Sequence, residues 1–248
     1  MEYIRVTQEN IESEHICCAI SNNKDIQVFS KKEWLRNRFD DGLVFLKSVE
    51  RGKCFIEYIP AVNAWVPLNA DGYMYIDCLW VSGSFKGHGY SNDLLEECVR
   101  DSKEKGMFGL CVLSSAKKRG FLSDPKHLSH KGFKVADEAD NGIQLWYLPF
   151  EENAPVPQFK ECARHPWVEG DDFVVLYTHQ CPFNAKYVPI VEEYAKGKGI
   201  PFRSVLISTK EEAQNAPTPV TTYAVFRDGR YVTNEVLNEK KLDKLVEN

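Results

Sequence analysis

Val81-Ser82-Gly83-Ser84-Phe85-Lys86-Gly87-His88-Gly89-Tyr90-Ser91 runs on into Asn92-Asp93-Leu94-Leu95 and joins two segments of opposite periodicity. The run that enters it, residues 73–81, is apolar and aromatic, as a buried strand would be. The segment that leaves it, residues 91–105, places Leu94, Leu95, Cys98 and Val99 on one helical face, and Gly106 closes it. A helix start carries backbone N–H groups with no intrahelical acceptor, and the aligned peptide dipoles add partial positive charge there. Glycines before it let a ligand approach the backbone with no Cβ in the way. A strand, a glycine turn and a helix N-terminus together form a seat for a pyrophosphate or similar anion. A plain tight turn is the alternative for a single Gly-x-Gly. The spacing matches neither Gly-x4-Gly-Lys-Ser/Thr nor Gly-x-Gly-x-x-Gly.

Upstream, residues 3–7 read as a strand and 8–20 as a helix. Ser30-Lys31-Lys32-Glu33 has the form of a capping box, opening a helix with Trp34, Leu35 and Phe39 inward that ends at Asp41-Gly42. Residues 43–49 and 53–59 flank Glu50-Arg51-Gly52 as a hairpin. Downstream, residues 109–113 form a short buried strand. Asp124-Pro125 opens a short helix through His130, and 133–135 and 143–148 pair around Asp140-Asn141-Gly142. Residues 151–170 are rich in proline and acid, a linker or packed connector. A second unit spans 171–248. It has strands at 173–178, 201–207, 220–227 and 230–233, the last two around an Asp228-Gly229 hairpin turn. Its helices lie at 184–196, ended by Gly197 and Gly199, and at 238–246.

The 248 residues suit one large domain or two modest ones, and 43% hydrophobic with 27% charged residues is ordinary for a globular chain. A formal net charge of -5 argues against nucleic acid as the main partner, since phosphate backbones call for excess lysine and arginine. Lys117-Lys118-Arg119 is a solvated loop or a contact to an anionic ligand. The first residues carry no basic stretch followed by an apolar one, and no apolar run approaches the ~20 residues that span a bilayer. A cytoplasmic protein with no membrane partner is expected. The eight cysteines include no Cys-x-x-Cys, so no metal site is expected. Cys78 and Cys111 read as small core residues.

Lys86-Gly87-His88-Gly89-Tyr90-Ser91 resembles the pyrophosphate loop of GNAT acetyltransferases, written Arg/Gln-x-x-Gly-x-Gly/Ala. Lysine stands for the first residue, keeping positive charge, and serine for the last, staying small. Residues 3–148 also follow that family's order: strand, helix, helix, three strands, loop, helix, strand, helix, two strands. The resemblance implies an α/β (α+β) fold with a mixed, splayed central sheet in a domain at 1–150, and acetyl-CoA as co-substrate. It places pantetheine between the strands at 73–81 and 109–113, on backbone groups of Leu79, Trp80 and Val81, with the pyrophosphate at Lys86, Gly87, His88, Gly89, Tyr90 and Ser91. It also implies direct attack by the amine of a small molecule or a protein on the thioester, which needs a base and an acid. Asp77 is the candidate base; His127 and His130 are candidate acids. Tyr75 reads as core. The family often carries a tyrosine on the last helix as acid; the matching position here holds Leu128.

Residues 171–248 resemble a smaller thioredoxin-like α/β domain. Cys181-Pro182-Phe183-Asn184 stands where that fold carries Cys-x-x-Cys, and Thr218-Pro219 resembles its cis-proline segment. Asn184 in place of the second cysteine excludes a dithiol cycle within the motif. Cys181, at a helix start that would lower its pKa, is either a reactive thiol or part of a degenerate fold used for binding. The order of the two units looks like that of YoaP-type acetyltransferases. A thiol-dependent redox protein acting through Cys181 and a non-catalytic acyl-CoA binder are the alternatives. The sequence names neither acceptor nor oligomeric state.

Overall fold

The computed structural model describes residues 1–16, 22 and 24–247. Its larger sheet takes seven strands in the order β1-β2-β3-β5-β6-β8-β7. They are β1 (Tyr3–Val6), β2 (Val44–Ser48), β3 (Cys54–Pro60), β5 (Tyr73–Val81), β6 (Gly109–Ser115), β7 (Lys134–Glu138) and β8 (Ile143–Pro149). The family's splay is present. β5 and β6 pair in parallel from Tyr73↔Gly109 to Tyr75↔Cys111 and no further, whereas β5 stays paired with β3 to Val81. β6 meanwhile follows β8 to Ser115, so the two strands part toward their C-terminal ends.

Alternation along β5 builds both layers. Met74, Ile76, Leu79 and Val81 pack with Leu94, Leu95 and Cys98 of α2 (Tyr90–Glu104) and with Leu128 of α3 (Pro125–His130). Tyr73, Tyr75, Cys78 and Trp80 face the other layer, with Val28, Trp34 and Leu35 of α1 (Ile26–Phe39). The alternation slips once. Glu57 pairs with Cys78 and Tyr58 with Ile76, leaving Asp77 as the extra residue of a β-bulge. Bulges re-aim side chains beside functional sites.

Two helix expectations change. Residues 8–13 form turns rather than a helix, and residues 17–20 of that expected helix, with Cys17 and Cys18, lie outside the described residues. α1 starts one turn before the expected capping box: the Asp25 carboxylate caps it, accepting from Gln27 N at 2.9 Å. Ser30 lies inside this helix and is buried with Lys31. Lysine pairs read as surface, and here both are buried: Lys31 has a carboxylate partner within the fold, and Lys32 Nζ donates to Glu12 O at 2.9 Å.

The connector is packed. β9 (Gln158–Phe159) pairs with β4 (Leu68–Asn69), Phe159 is buried, and α4 (Glu161–Arg164) carries an Arg164–Asp137 ion pair at 2.9 Å. The second sheet has the order β11-β10-β12-β13: β10 (Phe173–Tyr177), β11 (Phe202–Leu206), β12 (Tyr223–Arg227) and β13 (Arg230–Thr233). β10 and β11 are parallel across α5 (Pro182–Lys198), and β12 and β13 are antiparallel. α5 runs through Gly197 and ends at Gly199, whose φ of 68° suits a left-handed cap. Asp228-Gly229 turns with positive φ at both residues, as its hairpin requires. α6 (Lys210–Gln214) is unforeseen, although Thr209 and Glu212 form a full capping box. No cis peptide occurs among the described residues, so the bond before Pro219 is trans.

Both faces of this sheet are covered. Val188, Val191 and Ala195 of α5 and Leu242 of α7 (Glu239–Glu247) pack on one face. Val174, Leu176, Ala224 and Phe226 join the core that also holds Trp34 and Trp65. The second unit therefore lies against the α1 side of the first sheet. Cross-unit hydrogen bonds run from Thr221 Oγ1 to Trp65 O, from Asn234 Nδ2 to Gly120 O at 2.8 Å, and from Lys210 Nζ to Asn63 Oδ1 at 3.0 Å.

At this junction the Lys31 and Glu57 side chains, each 1% exposed, pair at 2.5 Å. Trp34 Nε1 donates to the other Glu57 oxygen at 3.2 Å. Removing one partner strands a buried charge. Lys31→Met is expected to lower stability by about 3–5 kcal/mol. Lys31→Met with Glu57→Leu is expected to recover most of that loss in urea denaturation. A double variant as weak as the single one would show that the pair's charges are not what Lys31→Met disturbs.

Candidate functional site

The glycine loop follows β5 at the end where β5 and β6 part. Phe85 anchors it, buried against the α2 layer, and Lys86 N bonds Gly83 O at 3.2 Å. Lys86, Gly87, His88 and Gly89 are exposed. Gly87 and Gly89 have φ of +83° and +81°, and Gly89 is the N-cap of α2. An added Cβ at either would meet nothing within 4 Å, so their need for glycine is conformational and the space above them is open. The first bond within the helix is Asn92 N to Gly89 O at 2.7 Å; the N–H groups of Tyr90 and Ser91 precede it and have no intrahelical acceptor. His88 stacks on Tyr90, with centroids 5.5 Å apart, beside this seat. Leu79, Trp80 and Val81 lie on the stretch of β5 that has left β6. Positively charged Lys86, free helix N–H groups and an open strand edge thus share one end of the sheet.

Asp77 faces the opposite layer, where charges gather. Gln180 Nε2 donates to its Oδ1 at 3.1 Å. Burial pushes its carboxyl well above the ordinary 3.8, and the Glu57 carboxylate adds to this. The Lys31 ammonium and the Gln180 amide pull the other way. Tyr75 is core, as expected. Cys111 is fully buried, whereas Cys78 is only half-buried and lies within the field of Asp77, Glu57, Lys31 and Cys181.

Cys181 is the N-cap of α5, as expected, but the helix start does not lower its pKa. Burial wins: the thiol is pushed up to about 11, against N–H groups of Phe183 and Asn184 that favour the thiolate. His127 and His130 sit on α3, which packs Leu128 into the α2 layer, away from the Asp77 carboxylate. His127 is half-buried with its Nε2 unpartnered, and burial lowers its pKa; His130 is exposed. The sequence reading omitted Lys31, Glu57 and Gln180. Glu57 alone carried a signal, a carboxylate inside the apolar run Cys54-Phe55-Ile56-Glu57-Tyr58-Ile59. Among the described residues no cluster of His, Cys, Asp or Glu could hold a metal, and no helix is long and apolar enough to cross a membrane.

Comparison with known proteins places two family models on the chain: "Acetyltransferase (GNAT) family" over residues 9–121 and "YoaP-like" over residues 201–244. Among solved structures, a ribosomal-protein-alanine N-acetyltransferase from Brucella melitensis is 15% identical, with a TM-score of 0.43, covering 60% of this chain and 100% of that one. A PaiA N-acetyltransferase from Thermoplasma acidophilum, crystallised with coenzyme A, is 15% identical with a TM-score of 0.41 over the same shares. The "Uncharacterized N-acetyltransferase YoaP" of Bacillus subtilis (strain 168) is 43% identical over 247 residues, 99% of this chain and 98% of its own length. On that identity along almost the full length, the chain belongs to the GNAT N-acetyltransferases, with a YoaP-like C-terminal region.

Proposed function

We propose that the chain transfers an acetyl group from acetyl-CoA to the primary amine of a small molecule or protein. The observation that carries this reading is the open, glycine-capped start of α2 at the mouth of the β5/β6 splay. Lys86 and the N–H groups from Gly87 to Ser91 would hold the pyrophosphate, and the free edge at Leu79, Trp80 and Val81 would bond the pantetheine amides. Acetyl-CoA supplies a thioester whose carbonyl carbon accepts the amine's lone pair as the C–S bond breaks. Asp77 accepts the proton that the attacking nitrogen loses, and a pKa raised by burial makes its carboxylate a stronger base than an ordinary one. His127 and His130 are candidates to return a proton to the departing sulfur.

The second unit reads as thioredoxin-like. Its sheet order, its parallel β10/β11 pair joined by α5 and the place of Cys181 at the start of α5 support that reading. We divide the chain into an acetyltransferase domain at 1–150, a packed connector at 151–170 and the thioredoxin-like unit at 171–248. With its thiol pushed up to about 11, Cys181 is better suited to lining the site than to attack.

Isothermal titration of acetyl-CoA tests the donor site. Wild type is expected to bind in the micromolar range and dephospho-CoA no tighter. Gly89→Trp, which strains a φ of +81° and fills the seat, is expected to bind at least about tenfold more weakly. Absence of acetyl-CoA binding by wild type would overturn the reading.

A second test uses the linkage of Asp77. Its folded pKa lies above the ordinary 3.8, so the folded state holds this proton more tightly than the unfolded one. The site's contribution is therefore most favourable below the ordinary value and declines as pH climbs toward the folded pKa. Asp77→Asn cannot ionise. It should melt close to wild type at pH 4 and above it at pH 8, while losing turnover. A variant that melts lower at pH 8 would contradict the raised pKa. For Cys181, iodoacetamide labelling at pH 8 should lag behind that of exposed Cys162 and accelerate toward pH 11, read by peptide mass mapping.

A further inference from the structure

The segment between β10 and α5, where a thioredoxin-like unit would carry its redox motif, is turned inward onto the acetyltransferase sheet. Gln180 is buried at 7% exposure and uses both ends of its side chain. Its Oε1 accepts from Thr222 Oγ1 at 3.1 Å, and its Nε2 donates to Asp77 Oδ1 at 3.1 Å. The second contact fixes which end of the amide faces Asp77, because only the NH2 end can serve a carboxylate, and the Thr222 hydroxyl then donates to the oxygen end. Its backbone is held as well. Gln180 O accepts from Lys31 Nζ at 2.8 Å, the same ammonium that pairs with Glu57, and Gln180 N donates to Thr178 Oγ1 at 3.3 Å.

Asn184 supports this loop from beneath. Fully buried, it donates from Nδ2 to Thr178 O at 3.0 Å and to Thr222 O at 2.6 Å. The residue that replaces a second motif cysteine thus ties together the two segments that orient Gln180. A cysteine there could not make two N–H donations to backbone carbonyls.

We propose that Gln180 is a positioning residue for the acetyltransferase site: held by Thr222 and Asn184, it reaches from the second unit to orient the Asp77 carboxylate, so both units build the acceptor pocket. The proposal rests on the reading of Asp77 as base only for its catalytic meaning; the coupling between Gln180 and Asp77 is separable from it. A chain cut before β10 would leave Asp77 without its amide donor and Lys31 without one of its acceptors.

The groups that face Asp77 are Glu57 from β3, Lys31 from α1, Cys111 from β6, Tyr75 and Cys78 from its own strand and Gln180 from the second unit. Among them Gln180 donates a hydrogen bond to the Asp77 carboxyl, and a donor to a carboxylate favours the charged form. Its loss therefore raises the titration midpoint of Asp77. The step it serves balances simply. The ammonium of the acceptor gives one proton to Asp77, the freed amine forms the C–N bond as the C–S bond breaks, the sulfur keeps that electron pair, and the second proton that the nitrogen sheds as the amide forms balances the one the thiolate takes up.

The full-length protein without ligand serves for the test. Infrared pH titration follows the carbonyl stretch of the protonated Asp77 carboxyl, assigned by its loss in Asp77→Asn. Gln180→Leu is expected to move the midpoint up by about one pH unit, and Thr222→Val, which frees the amide to turn, by a smaller step in the same direction. Gln180→Asn, too short to reach, should resemble Gln180→Leu, which a purely space-filling role would not predict. Acetyl-CoA affinity by titration calorimetry should stay within about twofold of wild type in all three, since the glycine loop lies on another element. If Gln180→Leu does not fold, Thr222→Val decides. An unchanged or lowered midpoint in the folded variants overturns the proposal. Failure of wild type to bind acetyl-CoA would instead remove the donor-site reading and leave the coupling to be judged by the titration alone.

Discussion

Parallel pairing between β5 and β6 ends after Tyr75, while each strand stays paired on its other side. β5 follows β3 to Val81 and β6 follows β8 to Ser115. A sheet interior that opens in this way leaves strand groups that need a partner. The loop at the open end adds helix N–H groups in the same need. The bulge at Asp77 sits two residues beyond the last β5/β6 pair. The extra residue changes which side chains point into which layer, so Asp77 and Cys78 share a side that strict alternation would have divided. The glycine loop and Asp77 thus both lie on the stretch of β5 beyond its last pair with β6 or just after it.

The charges under the bulge are costly to keep. Lys31 and Glu57 are out of water, and a buried pair seldom stabilises more than apolar residues of the same shape would. Asp77 adds a second carboxylate near Glu57, and the like charge helps to raise its pKa. The compensation lies in hydrogen bonds: Trp34 to Glu57, Lys31 to the Gln180 carbonyl and Gln180 to Asp77. Two of these three involve the second unit. Its packing against α1 therefore does more than bury Trp34, Trp65 and Phe226 together; it satisfies polar groups that the first sheet leaves open.

What the sequence made legible were features encoded over a few adjacent residues. β5 runs from Tyr73 to Val81 as its apolar pattern suggests, Asp124-Pro125 starts α3, and Asp228-Gly229 makes its hairpin. Cys181 lies at a helix start, as read. Where meaning depended on distant partners, the reading failed. Ser30-Lys31-Lys32-Glu33 has every local mark of an exposed helix start, yet Lys31 is core because Glu57 waits 26 residues on. Cys181 looked activated because a helix dipole is local, whereas the groups that act on its thiol, Lys31, Glu57 and Cys78, come from α1, β3 and β5. Gln180 was silent, since a single glutamine beside a cysteine carries no periodicity and no motif.

Asn184 shows how such a residue could be recognised in retrospect. A second motif cysteine would make the loop a redox device, open to solvent and partners. An asparagine at that position is instead a rigid amide with two donors, and both are spent on the backbone of its own unit. That arrangement suits a loop that must hold one shape against a neighbour. The neighbour is the bulge of β5, and the residue between them is Gln180, with each end of its amide already assigned. The two donations by Asn184 thus go with the inward turn of the loop. On the reading proposed for Asp77, the segment serves as a wall of the acetyltransferase site rather than as a redox motif.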